Sequence, residues 1–404
     1  MKYLVLIPDG MADEKIDALG GMSPMQKACK PTMDALAKKA LVGTVSNVPE
    51  GMVPESDTAN LAILSYDPKV FSKGRSPLEA VSMGIQMQPD EVAYRCNVVT
   101  LTDNGEDYDD KVILDHSADE ITTAEADELI KALQAEMGDD IKHFYTGISY
   151  RHCLIWKNGN DKYNFNRPHD ILGQRIGDYL PDKESGKEFY ELQRRSFDIL
   201  NHHPINEARR ARGLKPANSA WLWSPGKKPQ LPSFAEKWGL KGTVISAVDL
   251  IKGIGLCAGM RSIDVEGATG NVHTNYKGKA DAAIRAFRDG AELVYVHVEG
   301  PDECGHRAEL ENKVIAVERI DAEILSPVLD YLKNCGEDFK IMILPDHPTP
   351  IRIRTHSIDP VPFMIYSSQK EYDGVEGFCE ESAAAKNNYV ANGYTLMELL
   401  TKNA

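Results

Sequence analysis

Three short apolar runs in this 404-residue chain, at residues 3–7, 293–298 and 340–344, each stop within two residues at a proline or glycine, with an aspartate close behind. Runs of this length with such breakers read as buried strands. A chain that repeatedly puts a carboxylate at the end of a buried strand is built like an open α/β sheet, whose ligands collect outside the strands' carboxyl edge. The remaining pattern agrees. Strand-like runs at 42–48, 243–247 and 362–366 alternate with predicted helices over 33–40, 248–255, 276–288, 312–332 and 395–400. Alternation of this kind predicts a doubly wound, mostly parallel sheet with helices on both faces.

The residues beyond those strands carry the chemistry. After 293–298 comes Gly300-Pro301-Asp302-Glu303-Cys304-Gly305-His306. Asp302 and His306, four apart, share one side of a helical turn within reach of a borderline metal such as Zn²⁺ or Mn²⁺. After 340–344 comes Pro345-Asp346-His347-Pro348-Thr349-Pro350, with His356 nine residues past His347. Adjacent Asp346 and His347 diverge in extended chain, so either the loop bends to bring both to one ion or they serve neighbouring ions. The first strand runs into Pro8-Asp9-Gly10, and the stretch 54–64 reads as a loop entering a helix with Ser56 at or near its start. There Ser56 and Asp57 either cap free backbone N–H groups or Ser56 carries a phosphate, which those amides and the helix dipole favour. Together Asp9, Ser56, Asp302, His306, Asp346, His347 and His356 suffice for two divalent cations around a serine hydroxyl, a constellation for phosphoryl or sulfuryl transfer.

Composition narrows the classes. With 46 basic and 61 acidic side chains the net charge is −15, which argues against nucleic acid or an anionic membrane as partner. Apolar stretches are too short to span a bilayer and the first residues lack a secretion signal, so a cytoplasmic location is expected. Seven cysteines without a C-x-x-C pair suit free thiols in a reducing compartment.

Five stretches resemble the cofactor-independent phosphoglycerate mutases, archaeal-type branch, within the alkaline phosphatase superfamily. They are 7–13, 55–68 (Glu55-Ser56-Asp57-Thr58 onward), Ser149-Tyr150-Arg151-His152, 299–306, and 346–362 with His356. The resemblance implies an alkaline-phosphatase-like fold and two divalent metal ions, Mn²⁺, Zn²⁺ or Mg²⁺. It makes Ser56 the nucleophile, with Asp9, Ser56, Asp346 and His347 on one metal and Asp302, His306 and His356 on the other. Cys304 is then not a ligand, because its neighbours fill the family's positions. The implied reaction interconverts 3- and 2-phosphoglycerate through phosphoserine, with a small phosphorylated acid as the substrate. One departure is Glu55, where the family's mutases typically place glycine. The chain is also similar to a bacterial subgroup of the same family proposed to phosphorylate homoserine, which keeps a kinase-like alternative, although no ATP-binding glycine loop is present.

The texture changes between the two α/β halves. The expected organisation is a discontinuous phosphotransferase domain, 1–88 and 229–404, with an inserted α+β lid over 89–228. Residues 92–102 and 144–157 read as strand, and 122–137, 188–200 and 204–213 as helix, with proline and glycine at 224–229 marking a hinge. A lid would keep water from a phosphorylated serine. Arg151 and His152 are the candidates to hold the acid from the insert, with Arg261 and Lys279 as further phosphate contacts.

Overall fold

The computed structural model describes residues 1–402. The chain divides into two compact units, Met1–Ser72 with Gln230–Ala404, and Lys73–Pro229. In chain order the strands are β1 (Lys2–Pro8), β2 (Leu41–Val45), β3 (Glu91–Leu101), β4 (Ile113–Asp115), β5 (Lys142–Ile148), β6 (Arg151–Lys157), β7 (Ser219–Lys227), β8 (Gly242–Ile245), β9 (Arg261–Ile263), β10 (Leu293–Val298), β11 (Phe339–Ile343), β12 (Val361–Ser367) and β13 (Tyr389–Val390).

The first unit holds an eight-stranded sheet in the order β13-β2-β12-β11-β1-β10-β8-β9. β1 pairs in parallel with β10 and β11, β10 with β8, β8 with β9, and β13 with β2. β12 is antiparallel to both of its neighbours. Every residue of β1, β10 and β11 is buried, which explains why these strands read as unbroken apolar runs and not as an alternation. Helices Pro31–Ala37 and Tyr276–Arg288 put Met33, Leu36, Ala283 and Phe287 into the core beside Leu4, Val294 and Ile341. Because β11, β1 and β10 are adjacent and run the same way, their carboxyl ends lie side by side. Three catalytic-type sequences are thereby brought to one edge.

The expected helix over 312–332 is present as an unbroken helical run over 310–334 that is not α-helical throughout. Leu310–Arg319 passes through a π-helical stretch, Ile320–Leu325, into Ser326–Asn334. Pro327 has no N–H for the α-helical ladder, and the wider turn places buried Asp321 to accept the N–H groups of Thr32 and Met33 at 3.1 and 2.6 Å.

The second unit is built on an antiparallel sheet in which β3 pairs with β4, β6 and β7, and β6 with β5. The stretch 144–157 is a hairpin, turning at Ser149, whose φ is +57°. Residues 224–227 lie within β7, where the register shifts opposite Ala93 and Arg95 and Ser224 has φ +51°. A bulge accommodates Pro225, which a regular ladder would not. The helix Ser76–Ser82, placed by sequence with the first α/β half, falls within the second unit. Among the described residues no helix is long and apolar enough to cross a membrane.

Candidate active site

Asp9 follows β1 directly and is 1 % exposed, its N–H bound to Val298 O at 3.0 Å. Gly10 has φ +61°, and a Cβ there would lie 2.4 Å from Thr349 Oγ1 and 2.7 Å from Asp302 Cα. Only glycine lets the three loops close on each other. Gly10→Ala is therefore expected to destabilise this unit by about 2–5 kcal/mol, from left-handed strain plus overpacking, read as a lower urea midpoint.

β10 ends at Val298, and helix Gly300–Arg307 starts within two residues, with Pro301 in its first turn. Its i, i+4 spacing holds His306 Nε2 3.3 Å from Asp302 Oδ2. β11 leads to Asp346 and His347, both 1 % exposed, and His356 returns so that its ring stacks on His347 with centroids 3.8 Å apart. Ser56 is the first residue of helix Ser56–Ile63; Glu55 occupies the cap position and makes no side-chain cap hydrogen bond. The Ser56 hydroxyl instead lies 3.2 Å from His347 Nε2. The seven residues singled out by sequence thus converge in one unit.

The donor set fits divalent cations. His306 Nδ1 faces Arg354 O at 3.0 Å and His356 Nδ1 faces Pro54 O at 2.5 Å. Carbonyls only accept, so both Nδ1 atoms carry protons, and each Nε2 is the ring atom left to hold either a proton or a metal ion. Those two Nε2 atoms point at each other across 2.9 Å, and His356 Nε2 is 3.3 Å from Asp302 Oδ1. Two imidazole nitrogens and a carboxylate converging in this way need a positive charge among them, supplied by protons or by a metal ion. The charges say the same. Burial, then Asp346 and Asp302, push Asp9 well above the usual carboxylate range. Burial also opposes ionisation of Asp302, but hydrogen bonds with His306 and His356 hold it well below that range. Asp302 in turn holds His306 up to about 9. Burial pushes His347 down, which keeps it neutral as a ligand must be. Donor atoms of Asp302, His347 and His356 lie within 4.8 Å of one another, as do those of Asp9, Glu299 and Asp302. Cys304 is buried, and that burial pushes its thiol up to about 12, away from the thiolate a metal would want.

Sequence reasoning did not single out the residues that brace this set. Asn60 donates to Asp346 Oδ2 at 2.8 Å, and Tyr295 donates to Asn60 Oδ1 at 2.5 Å. Thr349 donates to Asp302 Oδ1 at 2.5 Å. Lys313, fully buried, donates to Thr349 O and Asp13 Oδ2, each at 2.8 Å. His297 Nε2 lies 3.0 Å from Asp9 Oδ2. The signal was present: Tyr295 and His297 are polar residues two apart, on one face of an otherwise apolar buried strand.

The substrate candidates fare unevenly. Arg151 is exposed, its guanidinium 5.6 Å from the Tyr150 ring, which packs edge-on to His116 at 5.6 Å. His152 instead turns into the second unit; it is 4 % exposed, with Nδ1 accepting the Gly147 N–H at 3.1 Å, and burial lowers it to about 4. Neighbouring strand residues face opposite sides, so Arg151 and His152 could not both face out. Lys279 is also not a surface contact: it is fully buried and donates to His297 O at 2.7 Å, beneath the site. Arg261 starts β9 and pairs with Asp289 at 3.5 Å, after the helix that precedes β10. That is the sheet's amino edge, opposite Asp9 and Asp302.

Comparison with known proteins agrees with this geometry. A family model described as 2,3-bisphosphoglycerate-independent phosphoglycerate mutase matches residues 37–206. A probable 2,3-bisphosphoglycerate-independent phosphoglycerate mutase of Geobacter sulfurreducens is 47 % identical over 401 residues, 99 % of each chain. The mutase of the same description from Methanosarcina barkeri is 46 % identical over 404 residues, 100 % of each. Among solved structures, a protein from Pyrococcus horikoshii superposes with a TM-score of 0.82 at 28 % identity, covering 100 % of this chain and 98 % of that one. The cofactor-independent phosphoglycerate mutase of Thermoplasma acidophilum gives 0.67 at 25 % identity, covering 100 % and 99 %. With full-length relatives at this identity, the chain belongs to the 2,3-bisphosphoglycerate-independent phosphoglycerate mutase family.

Proposed function

We propose that the chain interconverts 3-phosphoglycerate and 2-phosphoglycerate through a phosphoserine at Ser56, without 2,3-bisphosphoglycerate. The observation that carries this is the placement of the Ser56 hydroxyl, at the head of a helix and 3.2 Å from His347 Nε2, beside three buried aspartates and the converging Nε2 atoms of His306 and His356. Two divalent cations, one held by Asp9, Ser56, Asp346 and His347 and one by Asp302, His306 and His356, would offset phosphate charge and ease loss of the serine proton. Ser56 Oγ forms a bond to phosphorus as the bond to the glycerate oxygen breaks, and that oxygen takes up a proton. The other glycerate hydroxyl then attacks the phosphoserine, gives up its proton, and frees Ser56. The backbone N–H groups of the first helical turn and the helix dipole favour the phosphoryl oxygens at this point.

Arg151 is assigned the carboxylate of the acid, for which a guanidinium offers two parallel donors. Arg151→Ala is expected to lower kcat/KM by about 10²-fold, the cost of about 3 kcal/mol of lost charge-assisted bonding. It should also raise the share of phosphate released to water, because the acceptor is poorly held while Ser56 still works. Free phosphate measured beside mutase turnover reads both effects. The reading as a whole is tested by an enolase-coupled assay with 3-phosphoglycerate and Mn²⁺, run beside homoserine plus ATP. Phosphoglycerate interconversion supports it; homoserine phosphorylation without interconversion overturns it.

A further inference from the structure

We propose that His297 is itself a ligand of the cation assigned to Asp9 and Asp346, an inference that rests on the metal-dependent reading above. β10 lies between β1 and β8 in the sheet, and His297, fully buried, spans the ends of its two neighbours. Its Nδ1 is 3.2 Å from the hydroxyl of Ser246, just past β8, and its Nε2 is 3.0 Å from Oδ2 of Asp9, just past β1. The close approach to Asp9 is not a hydrogen bond: His297 Nε2 and Asp9 Oδ1 are both buried atoms without a hydrogen-bond partner. Both are therefore aimed at something else.

A neutral ring with its proton on Nδ1 donates to Ser246 Oγ and leaves Nε2 with a bare lone pair. That lone pair then lies 3.0 Å from a carboxylate oxygen without being directed at it, the arrangement of two donors that share a cation. The spacing suits one. Donors about 2.1 Å from a common cation and at right angles to each other stand about 3 Å apart, as His297 Nε2 and Asp9 Oδ2 do. Donor atoms of Asp9, His297 and Asp346 all lie within 4.8 Å of one another, and all three residues are buried. The Nδ1 contact to Ser246 is the outer partner a ligating histidine ordinarily has, fixing its tautomer and ring orientation. Ser246 Oγ is itself held by the Val248 N–H at 3.0 Å.

The test is calorimetric titration of the metal-free protein with Mn²⁺, together with visible absorption of the Co²⁺-loaded protein. His297→Ala should weaken one of the two ions by about 100-fold or more, beyond the 10–100-fold typical of losing an outer partner, and leave the other unchanged. The Co²⁺ bands of the affected ion should shift, as loss of a nitrogen ligand requires. Ser246→Ala should weaken the same ion by less, with the bands in place. If His297→Ala does not fold, as read by circular dichroism, His297→Asn keeps a donor near Ser246 and cannot reach Asp9, so the same titration applies. Wild-type affinity for both ions in the variant overturns the proposal. So does weaker binding with an unchanged Co²⁺ spectrum, which would make His297 a brace for Asp9 only. Wild-type protein that binds two ions but does not interconvert phosphoglycerates would remove the mutase reading and leave this inference standing.

Discussion

Ser56→Ala is expected to lower turnover by at least about 10³-fold, about 4 kcal/mol of barrier, while the protein stays folded. The large effect follows from losing the atom that forms the covalent bond, the hydroxyl oxygen 3.2 Å from His347 Nε2. Stability should change little, because Glu55 holds the cap position and alanine suits a first helical turn. Rapid quenching with substrate, followed by intact-mass measurement, should show one added phosphoryl group in the wild type and none in the variant. A variant that keeps more than about a tenth of the wild-type rate would reduce Ser56 to a helix residue beside the reaction.

Removal of divalent cations is expected to have the second largest effect. Treatment with a chelator should take activity below about 1 % of its starting value, and added Mn²⁺ should restore it. The unit that carries the site should also lose stability. An ion present at 100 times its dissociation constant contributes about 2.7 kcal/mol, so the loss of two gives about 5 kcal/mol. The structural reason is that Asp9, Asp302 and Asp346 are all buried and close together, with Nε2 of His306 and of His356 each 3.3 Å from Asp302. Thermal melts with and without chelator measure this. Full activity in protein shown free of metal by elemental analysis would overturn the two-cation reading.

Much of the site could be read in the sequence because each piece is local. A buried strand, a breaker and an aspartate occupy about ten residues at Asp9, at Asp302 with His306, and at Asp346 with His347, and helical spacing alone pairs Asp302 with His306. The parallel sheet followed from unbroken apolar runs separated by helical periodicity. The short edge strands β9 and β13 did not, because two or three residues hold too little pattern to register, and the π-helical stretch in 320–325 follows from packing of Asp321 against a distant turn.

What the sequence determined by itself was which seven residues are available to hold two cations around a hydroxyl, and the α/β class, since both depend on residue type and short spacing. Which side chains brace that set was decided by the tertiary structure. Asn60 meets Asp346 across 286 positions of chain, and Thr349 meets Asp302 across 47. His297 sits against Asp9 only because β10 pairs with β1 in one particular register, Ile7 opposite His297. The same holds for the residues that turned away. Lys279 and His152 looked like cations available to an anion, but helix packing and strand alternation put both inside, where desolvation disfavours their charge and neighbouring backbone groups take their hydrogen bonds.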